Sequence, residues 1–570
     1  MAGADEDSYA GRWIARLRGR VVAHGGTPEQ ARRAAQSRFK ETPDVVYMRP
    51  LYPLTFPPLL DSVRDALRSR EGVQEELTVY LVGGAVRDAL LGRPIHDLDF
   101  SLAGDAIKTA RRVADALKAN FYPLDTERDT GRVIVTSEDG SHTTLDFASF
   151  RSADSLISSP VPAALVQAGR SLESDLRGRD FTLNAIALSL SDNSIHDPLG
   201  GAMDLKEKRL CACSPSAFTD DPVRILRGVR LAAKFGFHIL PETRKAMKEA
   251  VGVLEKVSPE RLRDELFRIF DGPQPATCLR ALEWLGALDR ILPELSGLKG
   301  VEQHPPHVHD VWEHTLSVVS HLEGLFSTLT AEYDPEKNAD LFNGLLVLRL
   351  GRYRQQLSEY LAHPLTADRP LRGLLCLAAL YHDIAKPACK QPDENGQYRF
   401  WGHDVQGAEM ASARARSLVL SNEEIQRLDT IIRNHMRIPF QIKRMSDDQK
   451  LPSRRAIYRF FRDTGVAGVD ICLLELADLR ATFEQALPQE TWADALDIVR
   501  EFLENWYEKP AETITPLSLV NGNDLISELA LPPGKQIGML LSAIREAQSV
   551  GEVYTREQAL ELARRRLKDG

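Results

Sequence analysis

The sequence predicts an α/β module built on a small mixed sheet, followed by a long all-α remainder. Three observations carry this. Short β-prone runs separated by single helical stretches fill residues 77–150. From about residue 205 onward, apolar residues recur three and four apart, in segments that often open with proline. Nine of the 14 histidines fall between His304 and His435, inside that helical part. Five segments are expected: a helical N-terminal appendage (1–75), the α/β module (76–204), a helical neck and body (205–300), an all-α domain (301–485) and a helical tail (486–570).

In the appendage, Trp13, Ile14, Leu17, Val21 and Val22 fall near helical spacing. Thr27-Pro28-Glu29-Gln30 reads as an N-cap with proline in the first turn. Prolines 43, 50, 53, 57 and 58 break the run before a helix over Leu59–Leu67. The module then opens with a strand over Leu77–Val82, stopped by Gly83-Gly84 and followed by a helix over Val86–Leu91. Further strands are expected over Asp97–Leu102, Arg132–Thr136 and Thr143–Phe147, with a helix over Ala106–Leu117. Helices follow over Pro222–Phe235, Pro241–Val251, Pro259–Phe270 and Ala276–Leu288. A Pro532-Pro533-Gly534 turn divides the last pair.

Composition narrows the function classes. The 570 residues are 43% hydrophobic and 27% charged, with ample material for several cores. No apolar run approaches the ~20 residues of a membrane span, and the acidic start lacks the pattern of a signal peptide. Six cysteines without a CxxC pair make neither a disulfide framework nor a zinc ribbon, so a reducing cytoplasm is expected. A net charge of −9 argues against a protein that coats nucleic acid. It does not exclude a local stripe: residues 224–268 carry eleven Lys or Arg against six Asp or Glu. Arg230, Lys234, Arg261 and Arg263 belong to it, and such a stripe suits RNA phosphates. A solvated helix face accounts for some of these residues.

Two constellations carry chemistry. A Gly83-Gly84 turn between strand and helix lets backbone N–H groups approach an anion, and Arg87 adds a fork that suits phosphate. Asp97 and Asp99, two apart on a strand, share a face. As hard oxygen ligands they suit Mg²⁺, with Asp146 as a third acid from a neighbouring strand. Two metals held in this way suit in-line attack of a hydroxyl on an α-phosphate. Further on, Asp221 and Arg224 are three apart on an expected helix. Together they offer acceptors and donors that match the amino group and ring nitrogen of cytosine or adenine.

Leu81-Val-Gly-Gly-Ala-Val-Arg-Asp-Ala-Leu-Leu-Gly-Arg-Pro-Ile-His-Asp-Leu-Asp-Phe100 resembles the signature of the class II tRNA nucleotidyltransferase and bacterial poly(A) polymerase family. Three more blocks follow in order. They are Asp175-Leu-Arg-Gly-Arg-Asp-Phe-Thr-Leu-Asn-Ala185, Asp197-Pro-Leu-Gly-Gly-Ala-Met-Asp-Leu205 and Asp220-Asp-Pro-Val-Arg-Ile-Leu-Arg-Gly-Val-Arg230. The resemblance spans roughly residues 77–270 and implies a polymerase-β-like nucleotidyltransferase palm. It assigns catalytic metal to Asp97 and Asp99, with Asp146 as third carboxylate, and the triphosphate to Gly83, Gly84 and Arg87. Arg179, Asp180 and Asn184 would place the nucleotide, and Asp221, Arg224 and Arg227 its base. Asp220 stands where the family often has Glu, and Gly178 where a first arginine is usual. The implied partners are ATP, CTP and a tRNA or other RNA 3′ end.

The histidine-rich part has its own order: His314, His382-Asp383, His403, His435, Asp478. Imidazoles with carboxylates suit a divalent metal, and Lys386 a phosphate. Trp312-Glu-His314, His382-Asp-Ile-Ala-Lys386, Gly402-His403, Asn434-His435 and Ala477-Asp478 resemble the HD phosphohydrolase superfamily over roughly 304–485. That likeness implies one metal at His314, His382, Asp383 and Asp478, and a second near His403 and His435. Its substrate is not legible. The resulting expectation is a template-independent RNA 3′-end nucleotidyltransferase carrying an HD domain. The alternatives are a poly(A) polymerase, or an HD phosphohydrolase with an RNA- or nucleotide-binding front half.

Overall fold

The computed structural model describes residues 9–49, 54–68, 78–137, 140, 142–150, 171–330, 333, 340–366, 369–394 and 397–569. The chain divides into two compact units, 1–257 and 258–570. The expected neck and body is thus shared between them. Among the described residues no helix is long and apolar enough to cross a membrane.

The first unit opens with a correction. Trp13–Leu17 (β1), Arg20–Gly25 (β2) and Asp44–Tyr47 (β3) form an antiparallel sheet in the order β2-β1-β3, with Pro28–Gln36 (α1) packed against it. Residues 13–22 are therefore strands and not a helix. The reason lies in Arg18-Gly19: both have positive φ (50° and 77°), which gives the two-residue turn that pairs Leu17 with Arg20. The expected cap is present, with Thr27 accepting from the Gln30 N–H. Leu59–Arg68 (α2) follows.

The module is a seven-stranded mixed sheet. Its strands are Val79–Val82 (β4), Leu98–Leu102 (β5), Asn120–Asp125 (β6), Thr130–Thr136 (β7), His142–Ser149 (β8), Ala187–Ser189 (β9) and Ile195–His196 (β10). Their order is β10-β9-β4-β5-β8-β7-β6, and only the β5–β8 pair is parallel. Leu77, expected to begin β4, lies outside the described residues. Gly84–Leu90 (α3) and Ala106–Leu117 (α4) connect the first strands. Stacked Phe100 and Phe147, with centroids 4.6 Å apart, lie in the core beside the site. Strand β6, with mostly exposed residues, has no clear apolar alternation and is missing from the sequence reading.

The N-terminal sheet docks on the β10 end of this module. Trp13 donates its indole N–H to Ile195 O, and the Gln30 amide donates to Pro198 O. Gly26 packs so closely that a Cβ there would lie 1.6 Å from Asp197 O. Arg224–Phe235 (α5) closes on Gly236, whose φ of 66° ends the helix.

The second unit is mostly helical, with two short two-stranded ribbons at 364–370 and 391–399. The helices that matter below are Val311–Thr328 (α6), Leu371–Tyr381 (α7), His403–Ser417 (α8), Asn422–Asn434 (α9) and Ala467–Phe483 (α10). Helix α7 is apolar apart from Arg372 and almost wholly buried, so the residues that follow it begin in the interior. The tail helices enclose a small core of Val520, Leu525, Leu540 and Ile544.

Candidate active site and metal centre

In the first unit, β5 and β8 place Asp99 directly opposite Asp146, while β7 places Arg132 opposite Asp146 from the other side. Arg132 grips Asp146 through Nε and Nη2, both at 2.7 Å. Asp97 precedes β5 and is exposed. Burial pushes Asp99 up to about 6; Arg179 opposes this, whereas Asp146 and Asp97 add to it. A carboxylate raised by its like-charged neighbours is relieved by a cation, so Asp97 and Asp99 fit a hard divalent ion. Asp146 stands opposite Asp99 and is held by Arg132, and the three acids do not close into one compact ligand cluster.

Gly83 has a φ of 72°, the left-handed turn that lets α3 start at Gly84. A Cβ on Gly83 would lie 3.2 Å from an Asp99 oxygen and 3.3 Å from an Arg179 nitrogen, so this turn faces Asp99 and Arg179. Arg87 is buried, pairs with Asp88 and donates to Asn184 Oδ1 at 2.7 Å. Asn184 in turn donates to Asp180, which Arg227 reaches at 3.3 Å. Arg179 holds Ser101 and Asp175. Gly83, Gly84, Arg87, Arg179, Asp180, Asn184 and Arg227 thus lie in one neighbourhood linked by close contacts and hydrogen bonds.

The Asp221–Arg224 pair differs from expectation. Asp221 is extended and precedes the helix, so the two do not share a helical face. They still approach to 3.8 Å. Arg224 is buried, and three of its five N–H groups donate to the carbonyls of Arg179, Ala217 and Gly178.

Of the basic stripe, Arg230 and Lys234 lie on α5 in this unit. In the second unit Arg261 is exposed, but Arg263 is a correction. Its guanidinium is largely buried, pairs with Asp264 and donates to Val419 O, so it is not offered to a phosphate.

The second unit brings all six expected metal ligands together. His314 comes from α6, His382-Asp383 follows α7, His403 opens α8, His435 follows α9 and Asp478 lies within α10. They form two groups, His314–His382–Asp478 and Asp383–His403–His435, each with donor atoms within 4.8 Å of one another. His382, His403 and His435 direct Nδ1 at the carbonyls of Ala379, Phe400 and Ile432, at 2.8, 2.7 and 2.6 Å. These bonds place the proton on Nδ1 and turn Nε2 inward, as metal-binding imidazoles require.

The fit of a metal rests on orphaned atoms. His314 Nε2, His382 Nε2 and Asp478 Oδ1 are buried without a properly aligned hydrogen bond, although His314 Nε2 and Asp478 Oδ1 are only 2.8 Å apart. Charge agrees: burial opposes a proton on His382, yet Asp383 and Asp478 outweigh it and raise the group to about 10. The carboxylates thus demand positive charge at that point. His435 goes the other way, lowered to about 4 by burial and by His382 and His403. Lys386 bridges Asp383 Oδ2 at 2.6 Å and Gln303 Oε1 at 2.7 Å.

Sequence reasoning missed Arg132, Gln303, His307 and Glu475. His307 packs edge-on against His314 and is pushed down to about 4, chiefly by burial. Glu475 is buried one turn before Asp478, and burial drives its carboxyl well up. Of these, only His307 left a signal, as part of the histidine excess.

Known proteins match both units of the chain. The Poly A polymerase head domain matches residues 79–211, the probable RNA and SrmB-binding site of polymerase A residues 236–298, and the HD domain residues 311–457. A CC-adding tRNA nucleotidyltransferase of Thermus thermophilus is 32% identical over 484 residues, 84% of this chain and 91% of the relative. An A-adding tRNA nucleotidyltransferase of Deinococcus radiodurans is 32% identical over 486 residues, 84% and 93% of the two chains. In fold, a CCA-adding enzyme solved with ATP superposes with a TM-score of 0.56 at 21% identity, over 90% of this chain and 96% of that one. The Thermotoga maritima CCA-adding enzyme in complex with tRNA gives 0.52 at 19%, over 90% and 96%. With relatives of this identity along most of its length, the chain belongs to the tRNA nucleotidyltransferase and poly(A) polymerase family, and it carries an HD domain.

Proposed function

We propose that the chain adds CMP, AMP or both to the 3′ end of tRNA, from CTP and ATP and without a nucleic-acid template. The observation that supports this most directly is Asp99 facing the left-handed Gly83 turn, with Asp97 two residues before it, in a chain of this family. Asp97 and Asp99 would hold Mg²⁺, which when bound supplies positive charge to the attacking oxygen and to the α-phosphate. The N–H groups at Gly83 and Gly84, with Arg179, hold the triphosphate in line. Asn184 and Asp180 place the ribose, and Arg227 keeps Asp180 ionised against its burial. Asp221 and the two remaining N–H groups of Arg224 select an amino-bearing base over one with a ring N–H. Asp146, neutralised by Arg132, shapes the electrostatics of Asp99. All six cysteines are free thiols, in keeping with a cytoplasmic tRNA-processing role.

The HD centre adds a second activity, metal-dependent hydrolysis of a phosphate ester, supported by the orphaned donor atoms. Lys386 neutralises charge there. The deciding experiment is incorporation into a tRNA transcript ending before CCA, with CTP, ATP or both, resolved to one nucleotide. Addition of C, CC, A or CCA and then arrest is expected; a long A ladder would replace this reading with a poly(A) polymerase. No incorporation with any nucleotide would leave only the hydrolase.

A further inference from the structure

The end of α5 and the turn after α3 gather positive charge in a way the nucleotide pocket does not use. Arg93 Cζ lies 4.7 Å, Arg87 Cζ 4.8 Å and Lys234 Nζ 5.7 Å from the centroid of one ring, Phe235. Asp88 neutralises Arg87 through two hydrogen bonds. Among the described residues, Arg93 and Lys234 have no carboxylate within ion-pair distance. Burial, together with the guanidinium groups of Arg87, Arg230 and Arg93, lowers the pKa of Lys234, and Asp88 alone among the named groups opposes this. A lysine in the last turn of a helix is ordinary, because the carbonyl end attracts cations. That explains Lys234 but not Arg93, which lies outside any helix.

Cations held against a ring rather than against acids keep their N–H groups available for an anion. Both side chains belong to exposed residues, and Arg87 links them to the nucleotide pocket through Asn184. We propose that Arg93 and Lys234, gathered on the Phe235 ring, form a phosphate-binding subsite beside the nucleotide pocket and separate from the Gly83–Gly84 turn. Its ligand is a phosphodiester of the RNA acceptor or a distal phosphate of the nucleoside triphosphate, a choice that rests on the nucleotidyltransferase reading. Phe235 is the positioning residue of the pair.

The test uses the full chain with Arg93→Gln, Lys234→Gln, the double variant and Arg93→Lys. KM for a tRNA transcript and KM for CTP or ATP are measured separately, over a series of salt concentrations. The double variant should raise one of the two KM values about tenfold, with the change in KM and not in kcat. If RNA is the ligand, the slope of log affinity against log salt should flatten by about 0.7–0.9 per residue removed. A rise for tRNA assigns the subsite to the acceptor, and a rise for the triphosphate alone assigns it to the nucleotide. In either case Arg93→Lys should recover most of the loss relative to Arg93→Gln. Unchanged KM values, or a loss confined to kcat and thermal stability, would overturn the proposal. Should the wild-type chain incorporate nothing, direct binding of the tRNA transcript and of inorganic triphosphate to the same variants still decides it.

Discussion

Asp99 and Asp146 stand opposite each other on parallel strands, and Arg132, next in the same row, forms its ion pair with Asp146. Two acids of one row therefore differ in charge environment. Asp99→Asn should lower nucleotide incorporation by at least ~10³-fold, about 4 kcal/mol of barrier, with the circular dichroism spectrum unchanged. Arg132→Met should have a smaller effect, because it alters the neighbour of a metal ligand and not the ligand. Single-turnover incorporation of labelled ATP or CTP compares the two.

Removing a ligand from the second unit should separate the two activities. His382→Ala and Asp383→Asn are expected to lose bound divalent metal, measured by elemental analysis after dialysis. Both should retain nucleotide incorporation. Equal loss of incorporation in both variants would contradict independent sites.

Asp271 gives the second unit a pH dependence. Burial raises its carboxyl to about 7, and Arg372 and the Gly373 N–H offset only part of this. The folded chain therefore keeps the proton between pH ~4 and ~7 while the unfolded chain releases it, so stability falls as pH rises through that window. Asp271→Asn should leave stability unchanged near pH 4 and increase it by roughly 1–3 kcal/mol at pH 8. Urea titrations at the two pH values read the difference.

Arg427 and Asp470 form a buried pair at 2.7 Å, and Tyr360 donates to the other Asp470 oxygen at 2.8 Å. Arg427→Met alone leaves a buried acid without its cation and should cost about 3–5 kcal/mol. Combining it with Asp470→Leu should restore much of that loss. The midpoint of urea unfolding measures both.

Gly26→Ala tests how the N-terminal sheet is seated. The new methyl group would meet Asp197 O at 1.6 Å, so the contact must open. A loss of roughly 1–3 kcal/mol is expected, with faster proteolysis within residues 9–49.

The helices over Ala106–Leu117 and Pro259–Phe270 were legible to the residue, because apolar spacing agrees there with a start signal, Asp105 capping the first and Pro259 opening the second. The six ligands of the second unit were legible because histidine is rare and its order carries information. Residues 13–22 were misread because a run of Trp, Ile, Leu and Val fits either period, and the Arg18-Gly19 turn was the overlooked arbiter. Arg132 and Gln303 were invisible for another reason: each acquires its role from strand register or tertiary packing that joins distant segments. Arg224 shows a third limit. Its identity fitted a base-reading role, but the three carbonyls that orient it are a property of the folded chain alone.

Three of the four ligand imidazoles of the second unit, His382, His403 and His435, are aimed by main-chain carbonyls at the ends of helices or in the turn before one. Their orientation is therefore inherited from the helix termini, and no exchangeable side chain sets it. Drift at neighbouring positions can alter pocket shape and substrate while the donor geometry persists. A centre built in this way would be durable in its donor geometry and permissive in what it accepts.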